Sequence, residues 1–179
     1  MSSYAAFLRG MNVGGHRLSN AELRAYFVAM GFAEVATFRA SGNVVFAGER
    51  RSPDAVAERI ETELAERLGY AVPTFVRTAA EVRAIAAASP FAPERLRSSS
   101  GKLQVGLLAA TPAKQTQTEA LALAGEQDAL AFDGREVYWL PSGGVLDSAL
   151  DMAMLARLLG AMTLRTKGTI EQIAAKHLA

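Results

Sequence analysis

The sequence predicts an α+β fold made of two βαββαβ halves in tandem, with antiparallel sheets carrying helices on one face. Three observations carry that expectation. Short apolar runs of strand length alternate with amphipathic stretches of helical period. The same order of elements recurs after Gly101. Capping boxes and turn dipeptides sit where each element should begin or end.

The first strand is expected over Tyr4 to Leu8. Ser19-Asn-Ala-Glu22 is a capping box, in which the serine oxygen takes a backbone N–H and the glutamate reaches back. Leu23, Tyr26, Phe27 and Met30 then follow at helical spacing, and Gly31 stops the helix. Val35 to Ala40 and Val44 to Ala47 read as strands joined through Ser41-Gly42-Asn43, a hairpin signal. Pro53-Asp54 opens a second helix, with Val56, Ile60, Leu64 and Leu68 on one face and Gly69 closing it. Val72 to Arg77 is the fourth strand.

Thr78-Ala-Ala-Glu81 starts a connecting helix that ends near Ser89-Pro90, and residues 92–101 read as an exposed connection. Leu103 to Ala109 begins the second half, and Thr111-Pro112 opens its first helix. Ala129 to Phe132 and Val137 to Leu140 flank Asp133-Gly134, a strong two-residue hairpin signal. Leu150 to Leu159 is a helix and Met162 to Arg165 a closing strand. Thr169-Ile-Glu-Gln172 is read as the cap of a final helix. Each half is thus a ferredoxin-like subdomain. Residues 1–88 form the first with its connecting helix, 89–101 the connection, and 102–179 the second with a C-terminal helix. Runs such as Val105-Gly-Leu-Leu-Ala109 and Val44-Val-Phe46 are apolar at every position, which suits strands covered on both faces.

Topology turns these elements into a candidate site. The usual strand order, 4-1-3-2, places the first strand beside the third. Arg9-Gly10-Met11-Asn12-Val13-Gly14-Gly15 should then lie against Ser41-Gly42-Asn43, with Gly69-Tyr70 close by. An arginine, two amides, a hydroxyl and glycine N–H groups at one sheet end can hold an anion. Each loop alone is better explained as a turn that needs positive φ at glycine, and it is their convergence that brings a binding site level with that explanation. The spacing from Gly10 to Gly15 is that of a P-loop, but His16-Arg17 stand where Lys-Ser/Thr belong, and no GxGxxG is present in that loop.

Composition removes several function classes. The 179 residues are half apolar and carry 19 basic against 18 acidic side chains, a formal charge of +1. That balance disfavours a nucleic-acid groove or an anionic membrane surface as partner. No cysteine and only two histidines exclude disulfides, thiolate chemistry and a multi-histidine metal site, so no metal is expected. With no signal-peptide pattern and no apolar run of bilayer length, a cytoplasmic location is expected. Cofactor and oligomeric state are left open.

The segments LRGMNVGG, ASGNVVF, VPTFVRTAAEVRAI, VYWLPSGG and TLRTKGTI together resemble a bacterial family defined as a domain of unknown function, DUF1697, from Leu8 to about Ile173. The pairing of RGxNVGG with SGNVVF is what makes the resemblance specific. It implies an α+β fold of two ferredoxin-like subdomains and carries no activity. It also implies that Arg9, Gly10, Asn12, Gly14, Gly15, Ser41, Gly42, Asn43 and Arg165 are the positions to test as ligand-binding residues. The family's last motif reads Thr-x-Arg-Asn-Trp-x-Thr, whereas here Arg165 is followed by Thr166 and Lys167, with Thr169 kept.

Three functions follow as expectations. The first is a module binding a small anionic or phosphorylated ligand at the converging loops. The second is an enzyme using the same cleft, with His16 as acid or base or Ser41 as nucleophile. The third is a protein-interaction or RNA-binding module. RNA binding on the sheet face would need Tyr4, Phe7 and Phe46 exposed and a basic surround. Asp147 and Asp151 are read as helix-start acids and His177 as a cation at a helix end. Arg77 is placed at the sheet end opposite the glycine loops.

Overall fold

A computed structural model describes residues 1–12 and 14–178; Val13 and Ala179, and the part of the glycine loop that rests on Val13, lie outside the described residues. The chain divides into two compact units, Met1–Ala84 with Ile173–Ala179, and Ile85–Gln172.

The first unit runs β1 (Ser2–Leu8), α1 (Asn20–Ala29), β2 (Ala33–Thr37), β3 (Asn43–Gly48), α2 (Pro53–Leu68) and β4 (Thr74–Thr78). Its four strands form one antiparallel sheet in the order β2-β3-β1-β4, the order expected from the sequence. Register sets the site: Phe7 lies opposite Asn43 and Leu8 opposite Thr74, so the end of β1 meets both the start of β3 and the start of β4. Tyr4, Ala6 and Leu8 on one face pack with Leu23 and Phe27 of α1 and Val56, Ile60 and Leu64 of α2. The alternate side chains Ala5, Phe7, Val45 and Phe75 are buried as well, which is why the runs 4–8 and 44–47 are apolar at every position.

Local signals act as read. Ser19 and Glu22 form both halves of a capping box at α1. Gly69 closes α2 at φ 77, in the left-handed region where a glycine C-cap is favoured. The β2 boundary differs from the expected one. The strand starts at Ala33, with a register irregularity between Ala33 and Ala36 and Glu34 at φ 51, and it ends at Thr37. Arg39 takes φ 57 in the turn that follows.

α3 (Ala79–Ala87) starts in the first unit and ends in the second. Its capping box is made by Thr78 and Glu81, whose carboxylate accepts from Thr78 N at 2.7 Å. Residues 93–98, read as connection, form the short helix α4 (Pro93–Ser98), with proline in its first turn and no buried side chain. The second unit continues with β5 (Gln104–Leu108), α5 (Lys114–Leu123), β6 (Ala129–Asp133), β7 (Glu136–Leu140), α6 (Met152–Leu159) and β8 (Met162–Thr166). Its sheet repeats the order, β6-β7-β5-β8, all antiparallel. Asp133 pairs with Glu136 across the two-residue turn. Asp151 caps α6 by accepting from Met154 N at 2.9 Å. Trp139 is buried in this core with Leu108, Leu130 and Leu155. Its indole N–H donates to the buried carboxylate of Asp128, which also accepts from Ser142 N and Ser148 Oγ.

α7 (Lys167–His177) begins two residues before the sequence reading placed its cap. Thr166 caps it, its hydroxyl accepting from Thr169 N at 3.2 Å, so Thr169 lies inside the first turn.

Candidate functional site

The glycine loop and the hairpin turn come together. Leu8 N donates to Gly42 O at 2.8 Å, and Arg9 N donates to Pro73 O at 2.9 Å. The start of the loop is thereby fixed between the β2–β3 turn and the segment leading into β4. Gly42 is buried at φ 73, and a methyl group there would lie 3.1 Å from both Leu8 Cβ and Leu8 O. Glycine suits both that close contact and that left-handed backbone, and any side chain there would be strained.

The polar side chains divide into two groups. Asn43 is buried, and its amide donates to Phe38 O at 2.9 Å and to Ser41 Oγ at 2.8 Å, closing the hairpin turn. Asn12 Oδ1 accepts from Leu18 N at 2.7 Å, tying the two ends of the loop across six residues. Asn12 remains exposed, with its Nδ2 directed to no protein acceptor among the described residues. Arg9, Gly14, Gly15, His16 and Arg17 are exposed as well. Neither Arg9 nor Arg17 meets an acidic side chain among the described residues. Gly10, Gly14 and Gly15 all have positive φ, so the loop takes a path that side chains would resist.

The loop is anchored on its inner side. Met11 is buried and its carbonyl accepts from Tyr70 Oη at 3.2 Å. His16 stacks on the Tyr70 ring, with centroids 3.9 Å apart and planes 24° from parallel. An open cleft of about 610 Å³ lies between the loop and the start of α1, lined by Asn12, Gly15, His16, Arg17 and the capping pair Ser19 and Glu22. Glu22 Oε2 accepts from Ser19 Oγ at 2.6 Å and from Ser19 N at 2.9 Å. Those bonds, the serine hydroxyl's first, hold its carboxyl below the usual range and so keep it ionised.

Of the expected site residues, the structure sets the start of the loop against the hairpin turn, with Leu8 and Met11 on Gly42, whereas Asn12 and Gly15 line a cleft with the start of α1 rather than with Ser41, Gly42 and Asn43. Arg165 lies in the second unit on β8, opposite Val105, and donates to Thr163 Oγ1 and Leu164 O, each at 2.8 Å. Burial pulls its guanidinium down to about 10. The reading did not foresee Arg17, Ser19 and Glu22 as cleft wall, nor the His16–Tyr70 stack. The capping box following within a few residues of the glycines was the available signal for the wall.

A second cleft, of about 740 Å³, lies in the second unit beside Glu94, Arg95, Glu126 and Ser142. There Arg95 already donates to Asp128 O at 3.2 Å and two carboxylates flank it, which makes it a poorer seat for an anion. Among the described residues no three His, Asp or Glu side chains converge as metal ligands would. No described helix is long and apolar enough to cross a membrane. Tyr4, Phe7 and Phe46, the aromatics an RNA-binding sheet face would present, are buried.

Two four-stranded antiparallel sheets with this strand order define an α+β protein of tandem ferredoxin-like subdomains. The same fold occurs in the conserved bacterial protein SP0830 from Streptococcus pneumoniae, with a TM-score of 0.72, 21% identity and 97% of each chain covered. The chain belongs to the family described as "Protein of unknown function (DUF1697)", whose profile matches residues 1–138. No curated protein matches its sequence.

Proposed function

We propose that the chain binds a small anionic ligand bearing a phosphate or comparable group, in the cleft between the glycine loop and the start of α1. One observation carries this reading: two exposed arginines without acidic partners, Arg9 and Arg17, ride on a loop that is pinned by Asn12, Met11 and Tyr70. A loop held in place loses little entropy when it captures a ligand. Arg17 offers a two-pronged donor in the cleft and Asn12 Nδ2 a further donor, and Gly15 lines it with open space where a side chain would begin. In this reading Ser41, Gly42 and Asn43 build the turn that supports the loop. The Ser41 hydroxyl is engaged by Asn43, which gives a nucleophilic role no support.

Calorimetric titration of the full chain with inorganic phosphate tests the proposal. Saturable binding is expected, and Arg17→Ala should weaken it by roughly 10-fold or more, as removal of a charge-assisted hydrogen bond does. Absence of binding at millimolar phosphate, or an affinity that stays at the parent value in both Arg17→Ala and Arg9→Ala, would overturn it.

A further inference from the structure

We propose that the ligand is a nucleoside monophosphate, its base lying on the open face of His16 and its phosphate held by Arg17. This rests on the anion-binding reading above. The inference starts from the ring pair. One face of His16 is covered by Tyr70, at 3.9 Å between centroids. Tyr70 is itself fixed through its hydroxyl to Met11 O, and Met11 is buried. The imidazole is therefore a ring held flat on a support, yet it is exposed and lines the cleft. A bare phosphate has no use for such a surface. A planar heterocycle does, because base–aromatic stacking is favourable for every base.

The other walls fit the rest of a nucleotide. Arg17 stands next to His16 in the chain and lines the same cleft, giving the cation a place beside the ring. Across the cleft Glu22 commits Oε2 to Ser19, and Oε1 is left as an acceptor for a ribose hydroxyl or a base N–H. The same carboxylate is ionised and repels a second anionic group, which favours one phosphate over three. A cleft of about 610 Å³ is of the size that small molecules occupy. A formal charge of +1 over 179 residues offers no track for a polymer's phosphates, so a free nucleotide is favoured over RNA.

The test is calorimetric titration of the full chain with inorganic phosphate, the four common nucleoside monophosphates, adenosine triphosphate and a short oligoribonucleotide. At least one monophosphate should bind roughly 10-fold or more tightly than phosphate, the contribution of one stacked base. His16→Ala should remove that advantage, and His16→Phe should restore it by supplying a ring without a titratable nitrogen. The triphosphate should bind no more tightly than the monophosphate. Equal affinity for phosphate and every monophosphate would overturn this inference and leave the anion site standing. So would a His16→Ala variant that keeps the preference, or an oligonucleotide that outcompetes the monophosphates. No binding of phosphate or of any nucleotide would overturn both readings.

Discussion

At the scale of single residues, glycines that share a positive φ do different work. Gly15 sits at φ 86 with open space where a side chain would begin. Gly42 sits at φ 73 with Leu8 3.1 Å from that position and Met11 Sδ at 3.3 Å. Gly15→Ala bears only the backbone cost, about 1 kcal/mol. Gly42→Ala adds a steric cost and should destabilise by about 2–3 kcal/mol. Urea midpoints of the two variants against the parent chain check this, and equal shifts would refute the packing role of Gly42. Phosphate binding gives the complementary readout. It should suffer in Gly42→Ala even though Gly42 is buried beneath the loop, because the Leu8–Gly42 contact fixes where the loop begins.

At the scale of elements, the capping box joins fold and site. Ser19→Ala removes a cap and should cost about 1 kcal/mol. Glu22 gives this cap a pH dependence of known sign. Its folded-state value lies below the ordinary carboxylate value, so the folded state holds its proton less tightly than the unfolded chain does. The stabilisation is present above the unfolded value, about pH 4.3, and is lost as pH falls through the folded one. Melting temperature measured from pH 7 to pH 3 should therefore fall less steeply in Glu22→Gln than in the parent chain. Identical slopes would show that the carboxylate does not act through the cap.

Elements were also where the sequence was most legible. The strand order followed from the βαββαβ succession, and Ser19, Thr78, Asp133-Gly134 and Gly69 marked boundaries because their chemistry is local. What escaped reading depends on distant parts of the chain. α4 buries nothing, so it lacks the apolar period that announces a helix. α7 offers two threonines three residues apart, and it is Thr166 whose hydroxyl takes the backbone N–H. In the site, sequence named the amides but could not tell that Asn43 turns inward to Phe38 O while Asn12 keeps its Nδ2 outward. Strand order placed Tyr70 close to the loop, but the stacking of its ring on His16 is a side-chain contact that topology does not specify.

At the scale of the whole molecule, chain order and compact units do not coincide. Ile173–Ala179 group with the first unit although the chain reaches them from the second. Ile173 and Leu178 are buried, Leu178 O accepts from Arg83 at 2.8 Å, and the His177 ring meets the edge of Phe38. The single tryptophan, Trp139, lies in the core of the second unit. A chain truncated after Gln172 should therefore lose stability chiefly in its first unit. Its urea transition followed by circular dichroism should begin at lower denaturant than the transition followed by tryptophan fluorescence. Coincident transitions, both shifted equally, would show that the last residues support the two units alike.

The return of the C-terminal residues also sets a timetable for synthesis. A ribosome adding about 5–20 residues per second needs roughly 4–18 s to pass from Ala84 to Ile173. Through that interval the nascent first unit has all four of its strands and both of its own helices, but not the segment that later covers Phe38 and engages Arg83. Its native form is reached only after Ile173–Leu178 have been made, so folding of the first unit waits on a segment translated after the second.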